Sequence, residues 1–411
     1  MIARAAPDMM DGEMAIDLMD LDPFVAGGEH DLFKTLRDEH PLHWNDEADG
    51  PGFWSLTRYA DIRAAGQDNA RFSNREGTQI QSRRAEGEGE ARSMINMDDP
   101  QHKAVRKLLV DHFTRKGAED HVGAQARRVA DELLDRAVEH GECDWVETVS
   151  VELPLRVFGA WLGVPEADLA QLLAWVNVVG GQEDPEFAAG PEAMAEARKG
   201  IFGYFSELDA ARRADPRDDL VSLLAHAKID GEPLSLENRL LPNYLLLTFA
   251  GNDTTRNLVS WAADTFHRWP GEWERLREDP AGRIGSAIEE LLRFNTPVYC
   301  MRRTLAQPFE LHGQRAEPGR KVVLWWAAAC RDERNFPEPD RFDITRTPNK
   351  HVAFGWGKHF CLGSHVARLE TEILFTRIIE RGLKLEVLGE PDRLRSNFFR
   401  GVKRLPVRVT Q

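Results

Sequence analysis

Residues 354–363 read Phe354-Gly355-Trp356-Gly357-Lys358-His359-Phe360-Cys361-Leu362-Gly363, and a strong helical pattern starts at the cysteine. This reads as a tight glycine-rich turn that presents a thiolate at a helix N-terminus. Gly355 and Gly357 permit backbone angles closed to other residues. Gly363 leaves room for a flat group to press against the backbone. The positive end of the helix dipole and nearby N–H groups favour the thiolate. Such a thiolate can ligate a metal, and on iron it pushes electron density outward and favours O–O cleavage. The bland alternative is a buried structural cysteine beside a turn. Cys143, Cys300 and Cys330 take that reading. For Cys361 the pattern F-G-x-G-x-H-x-C-x-G fixes six residue types. Chance gives roughly one such match per hundred thousand chains of this length. A dinucleotide-binding loop fails, because no G-x-G-x-x-G follows a strand in a βαβ unit.

Three further groups have the spacing for chemistry. Residues 249–255 read Phe-Ala-Gly-Asn-Asp-Thr-Thr inside a long apolar stretch. Polar residues there are costly unless used. Thr254 is placed to hydrogen-bond back to the Ala250 carbonyl and loosen the helix, which opens a groove for dioxygen and a water. The alternative is a C-cap followed by a new N-cap, giving two helices. Residues 97–106 read MDDPQHKAVR, with His102 and Arg106 one turn apart on one helix face. Taken alone, that pair is a solvated face. Glu290 and Arg293 have i, i+3 spacing, which by itself is an ordinary surface pair.

Helices must position these groups. The apolar periodicity predicts helices over 122–140, 240–268, 282–294 and 361–381, the last ended by Gly382. Strand candidates are 52–57, 302–311, 320–326 and 402–409. The fold class is therefore mainly α with small β-sheets, without regular alternation of strands and helices. Residues 84–92 and 181–192 read as polar loops, each a candidate lid. The expected organisation is one domain over 1–411, with residues 1–20 a flexible tail. The chain has 411 residues, ample for a large core around a cofactor. Its net charge of −15 makes it a poor nucleic-acid binder. Four cysteines without metal or disulfide spacing point to a reducing cytoplasm. No signal peptide and no run of about 18 apolar residues is expected to tie the chain to a membrane.

The cysteine segment resembles the heme-binding signature of the cytochrome P450 family. The resemblance extends from about residue 96 to residue 408. It implies a long central helix over a buried heme b, with Cys361 as axial iron ligand. It places Ala250, Gly251, Phe354, Gly355 and Gly363 against the heme. It makes His102, Arg106 and His359 partners of the heme propionates, with Arg302 or Arg303 as the fourth and Arg302 preferred. Only one of those two can face the heme from a strand. Asp253 and Thr254 are similar to the family's acid–alcohol pair, which delivers protons during oxygen activation. Glu290 and Arg293 resemble its buried E-x-x-R pair, with Arg341 as third member and a structural role.

The same resemblance implies a monooxygenase that inserts one atom of dioxygen into an apolar small molecule of terpene, steroid or alkyl-chain type. Leu247, Phe249, Ala250, Val298 and Phe398 are its expected substrate contacts. The chain has no flavin, nicotinamide or iron–sulfur motif. Electrons must then come from a separate ferredoxin and its reductase. Arg106, Arg115, Lys116 and Lys358 are candidates for the docking face, the alternative being scattered solvated charges. Competing readings are a peroxygenase or isomerase that needs no redox partner, and a heme-binding protein without catalysis.

Overall fold

A computed structural model describes residues 16–81, 91–181, 183–188 and 190–411. Its frame is helical. The helices that matter for the site are α1 (Gln101–Lys107), α2 (Ala124–His140), α3 (Glu152–Leu162), α4 (Leu169–Gly180), α5 (Gly190–Ala214), α6 (Leu241–Arg268), α7 (Pro280–Asn295) and α8 (Ser364–Glu380). Beside them lies a five-stranded sheet of β1 (Leu42–Asn45), β2 (Phe53–Leu56), β3 (Phe72–Ser73), β4 (Met301–Leu305) and β5 (Lys321–Leu324). Its spatial order is β1-β2-β5-β4-β3. A three-stranded sheet joins Lys384–Val387, Pro406–Thr410 and Glu142–Asp144.

Helix α6 is the axis of the molecule. Its 28 residues span roughly 42 Å at the α-helical rise. It packs against α2's neighbour α3 and against α5, α7 and α8. The two-helix alternative fails for a local reason. The hydroxyls that could have capped a new turn instead bond back one turn: Thr248 to Tyr244 O at 2.8 Å, Thr254 to Ala250 O at 3.0 Å and Ser260 to Arg256 O at 2.8 Å. These three hydroxyls are thereby satisfied without breaking the backbone ladder.

Helix α8 starts at Ser364, with Gly363 at its N-cap position, and not at Cys361. The Cys361 amide is committed to the preceding turn, where it donates to Phe354 O at 2.9 Å. The predicted strand 302–311 divides into Met301–Leu305 and Phe309–Leu311. Pro308 lies in the gap and has no N–H to continue a ladder.

The expectation of a flexible tail over 1–20 is corrected for residues 16–20. Leu18 is fully buried beside Phe24, Phe33 and Trp325. Its carbonyl accepts from Asn397 Nδ2 at 2.9 Å. Residues 1–15 lie outside the described residues, as do 82–90, which hold most of the first predicted loop. The second loop appears as turns at 183–188, between α4 and α5. Among the described residues, no helix is long and apolar enough to cross a membrane.

Candidate active site

The cysteine turn is pinned by close backbone contact. Gly355 and Gly357 both have positive φ, +73° and +80°. A Cβ on Gly357 would lie 1.9 Å from the Gly66 carbonyl oxygen, at the end of helix Tyr59–Gln67. Gly357→Ala therefore combines backbone strain with an unavoidable clash. We expect it to cost about 1–3 kcal/mol or more. A thermal melt beside a cofactor-loading assay checks this: both should fall, whereas Gly382→Ala, which meets no neighbour, should cost only the strain.

Under α6 and above the cysteine turn lies a cavity with about 1310 Å³ of atom-free space, part of it continuous with solvent. Helix α6 contributes Leu247, Ala250, Gly251, Thr254, Thr255 and Leu258, which recur at helical spacing on one face. The turn contributes Phe354, Gly355, His359, Cys361 and Gly363. Helix α1 adds His102 and Arg106, and β4 adds Met301 and Arg303.

Cys361 is exposed to this cavity. Enclosure by the surrounding protein pushes its thiol up, and the Gly363 amide, Arg106 and Arg368 pull it back down. A Cβ added at Gly363 would meet nothing, so the backbone there is open to a flat ligand.

One end of the cavity is cationic. The His102 and His359 rings lie 4.0 Å apart. Burial pushes His359 down to about 2, helped by His102 and Arg303. Burial likewise lowers His102 and takes Arg303 down to about 10. Asp99, 3.5 Å from His102 Nδ1, is the near acid, and Lys358 also claims it at 2.5 Å. Groups so placed call for anionic partners from a ligand. A planar group with a metal for the thiolate and two carboxylates for the Arg106 and Arg303 guanidiniums and the two imidazoles fits this donor set.

Strand pairing corrects the expectation for Arg302. In β4, Met301 and Arg303 share one face and Arg302 and Thr304 the other. The cavity receives Arg303. Arg302 turns away, where its NH2 donates to Thr304 Oγ1 at 3.2 Å under the field of Glu47 and Glu76. Arg303→Ala should therefore weaken cofactor retention by roughly 10–100-fold, the usual cost of a supporting partner. Arg302→Ala should leave it within error. Transfer of the bound cofactor to a scavenger protein measures both.

Of the expected substrate contacts, Leu247, Ala250 and Val298 line the cavity. Phe249 and Phe398 do not. Phe249 is turned about 100° from Ala250 on the helix. Its ring packs 5.5 Å from Phe399. Phe398 stacks edge-on to Phe399 at 4.7 Å and joins the Leu18 cluster. Phe113 and Phe158 line the cavity without a sequence signal beyond being apolar helical residues. A Cβ on Gly251 would lie 2.4 Å from the Phe158 ring.

The structure also separates Asp253 from Thr254. Thr254 lines the cavity, and Asp253 is buried one residue round the helix, against Gly180 of α4. Burial pushes its carboxyl up, and Arg256, 3.4 Å away, pulls it down.

Glu290 and Arg293 are fully buried and form a two-pronged pair, both contacts at 2.8 Å. The third member is Arg346, not Arg341. Arg346 Nε lies 3.1 Å from Glu290 Oε1. Arg341 sits in an exposed turn, pairs with Glu338 at 3.5 Å and offers only its carbonyl, which accepts from Arg293 and Arg346. Asn349 Nδ2 adds a bond to Glu290 at 3.0 Å, and so ties the triad to the chain that enters the cysteine turn. Of the proposed basic patch, Arg106 points inward and donates to Phe360 O at 2.7 Å. Lys116 and Lys358 are held by Asp120 and Asp99, and Arg115 is exposed.

A helical fold around a cavity that joins a cysteine thiol to a cationic end fits a heme-thiolate protein. Residues 284–402 match the family model described as Cytochrome P450. The linalool 8-monooxygenase of Pseudomonas putida is 36% identical over 95% of this chain and 98% of its own length. The steroid C26-monooxygenase of Rhodococcus jostii is 33% identical over 98% of this chain and 86% of its own. The solved structure of a Mycobacterium marinum cytochrome P450 in complex with pseudoionone superposes with a TM-score of 0.89 at 31% identity, covering 98% of this chain and 100% of that one. The chain belongs to the cytochrome P450 family, and it is a monooxygenase that binds heme b.

Proposed function

We propose that the chain inserts one atom of dioxygen into an apolar small molecule of the terpene, steroid or alkyl-chain kind, with electrons from a ferredoxin and its reductase. The observation that carries this reading is the cavity: Cys361 and Thr254 line it together, and Leu246, Leu247, Val298 and Met301 make its nearby wall apolar. The names of the relatives that act on linalool and steroids support the substrate class. The free cysteines suit a reducing cytoplasm.

Within this reading Cys361 would ligate the heme iron, and His102, Arg106, Arg303 and His359 would hold its two carboxylates. Gly355 and Gly363 would let the backbone lie against the heme. When bound, heme supplies the binding and reductive activation of dioxygen. Thr254 holds a hydroxyl inside the cavity, while Asp253 sits on the α4 side of the same helix, where burial raises its carboxyl and Arg256 pulls it down. Glu290, Arg293 and Arg346 keep the cysteine turn in place.

Screening terpenes, steroids and alkyl chains for a substrate-induced spin-state change, then for turnover with a ferredoxin, reductase and NAD(P)H, tests this. Hydroxylated product that depends on the ferredoxin is expected. Equal product from hydrogen peroxide alone would overturn the donor requirement.

A further inference from the structure

The turn at 183–188 joins α4 to α5 and is held down by charge. Asp184 is only 2% exposed. It accepts from the amides of Arg395 and Glu186, both at 2.9 Å, and lies 3.2 Å from Lys403 Nζ. Lys403 also reaches Glu186 at 3.3 Å and Asp392 at 3.6 Å. Arg404 pairs with Glu186, and with Asp392 at 2.7 Å. Asp392, Lys403 and Arg404 sit on a two-stranded hairpin of Asp392–Arg393 and Val402–Arg404. A single exposed pair contributes little, whereas a network with a buried anchor holds its geometry. Without the two cations, three carboxylates would face one another across the seam and repel.

Glycines bracket the turn. Gly180 and Gly181 close α4, and Gly190 opens α5 at φ +82° with nothing around it. Such residues absorb backbone rotation. Helix α4 itself stays anchored, since Asn177 Oδ1 accepts from Arg256 of α6 at 3.1 Å. Beneath the turn stands a stack of rings. The loop of the hairpin carries Phe398 and Phe399, 4.7 Å apart, and Phe249 packs 5.5 Å from Phe399. The Phe399 backbone bridges to Val298, which lines the cavity. Phe249 adjoins the cavity residue Ala250 and lies under the end of α4, where a Cβ on Gly180 would come within 2.6 Å of its ring. Apolar contact between rings is non-directional, so the stack can part once the turn above it lifts.

We propose that the seam between the 183–188 turn and this hairpin is the route by which small molecules reach the heme cavity, with Asp184 and Lys403 as the latch that keeps it shut. Opening swings the turn about Gly180–Gly181 and Gly190, uncovers Phe249 and lets the rings part towards Val298. Asp184 and Lys403 are positioning residues. Neither lines the cavity, and they set the rate of passage, leaving the strength of binding to the cavity wall. The latch concerns access alone, so it holds whichever substrate and electron donor the enzyme uses.

Stopped-flow binding of phenylimidazole to the heme-loaded protein tests this, because its nitrogen ligates iron and shifts the Soret band. Lys403→Met should raise the association and dissociation rates together, several-fold, and leave Kd nearly unchanged. That is the mark of a gate whose opening favours neither the free nor the bound state. Asp184→Asn should do the same, and its near-identical shape keeps the test available if Lys403→Met folds poorly. Raising the ionic strength from about 0.05 M to about 0.5 M should speed association in the wild type by screening the latch, with little further effect in Lys403→Met. Arg408→Met is the control. It makes the same change of charge on the three-stranded sheet, where Arg408 pairs with Glu142 and Glu386, and should behave as the wild type. Unchanged rates in both latch variants, or equal acceleration in Arg408→Met, would overturn the latch. A weaker Kd carried by dissociation alone would make these residues binding contacts and would overturn it too.

Discussion

Glu290→Ala should lower the stability of the protein by about 3–5 kcal/mol, the usual result of breaking a buried pair from one side. The carboxylate satisfies Arg293 twice, Arg346, Asn349 and the Asp343 amide. Its loss leaves a fully buried guanidinium without an anion, held only by the carbonyls of Cys330, Pro339 and Arg341. Urea unfolding should show a lower midpoint with an unchanged slope. Arg341→Ala is the control. It removes an exposed side chain whose carbonyl contribution survives substitution, and it should shift stability by no more than about 0.5 kcal/mol. Similar losses for both would return Arg341 to the triad and contradict the placement of Arg346.

Cys361→Ser should lose more than the ~10–100-fold that removal of a supporting partner costs in metal proteins, because it removes the ligand itself. The cationic end of the cavity, with Arg106, Arg303, His102 and His359, is untouched by the change. The variant should thus still take up heme while product formation collapses. A hydroxyl does not match the electron release of a thiolate on iron. Quantified heme and product yield, measured on one preparation, separate loss of the cofactor from loss of its electronics. A serine variant that retains product formation within about tenfold would remove Cys361 from its role.

What the sequence reveals follows from the range of each constraint. The cysteine turn was legible because its chemistry is contiguous: two positive-φ glycines, the thiol and the open Gly363 fall within ten residues. The back-bond of Thr254 to Ala250 is likewise local. The choice between Arg302 and Arg303 is not local, since the pairing of β4 with β5 decides which side of the strand meets the cavity. Arg346 was invisible because the turn after Pro339 folds the chain back onto Glu290, and i, i+3 arithmetic does not reach that far. Phe249 and Phe398 were misplaced because an apolar ring next to a cavity residue is equally at home in the packing behind it. Glu370 looks like an ordinary polar position on an amphipathic helix; its burial comes from α2, α6 and α7 closing over it.

The reduced carbon-monoxide difference spectrum of the freshly purified, heme-loaded protein tests the central claim most directly. Ligation by the Cys361 thiolate predicts a strongly red-shifted Soret band, lost in Cys361→Ser. An unshifted band in the wild type, at full heme loading, would mean that the axial ligand is not a thiolate, and would contradict the account of this site.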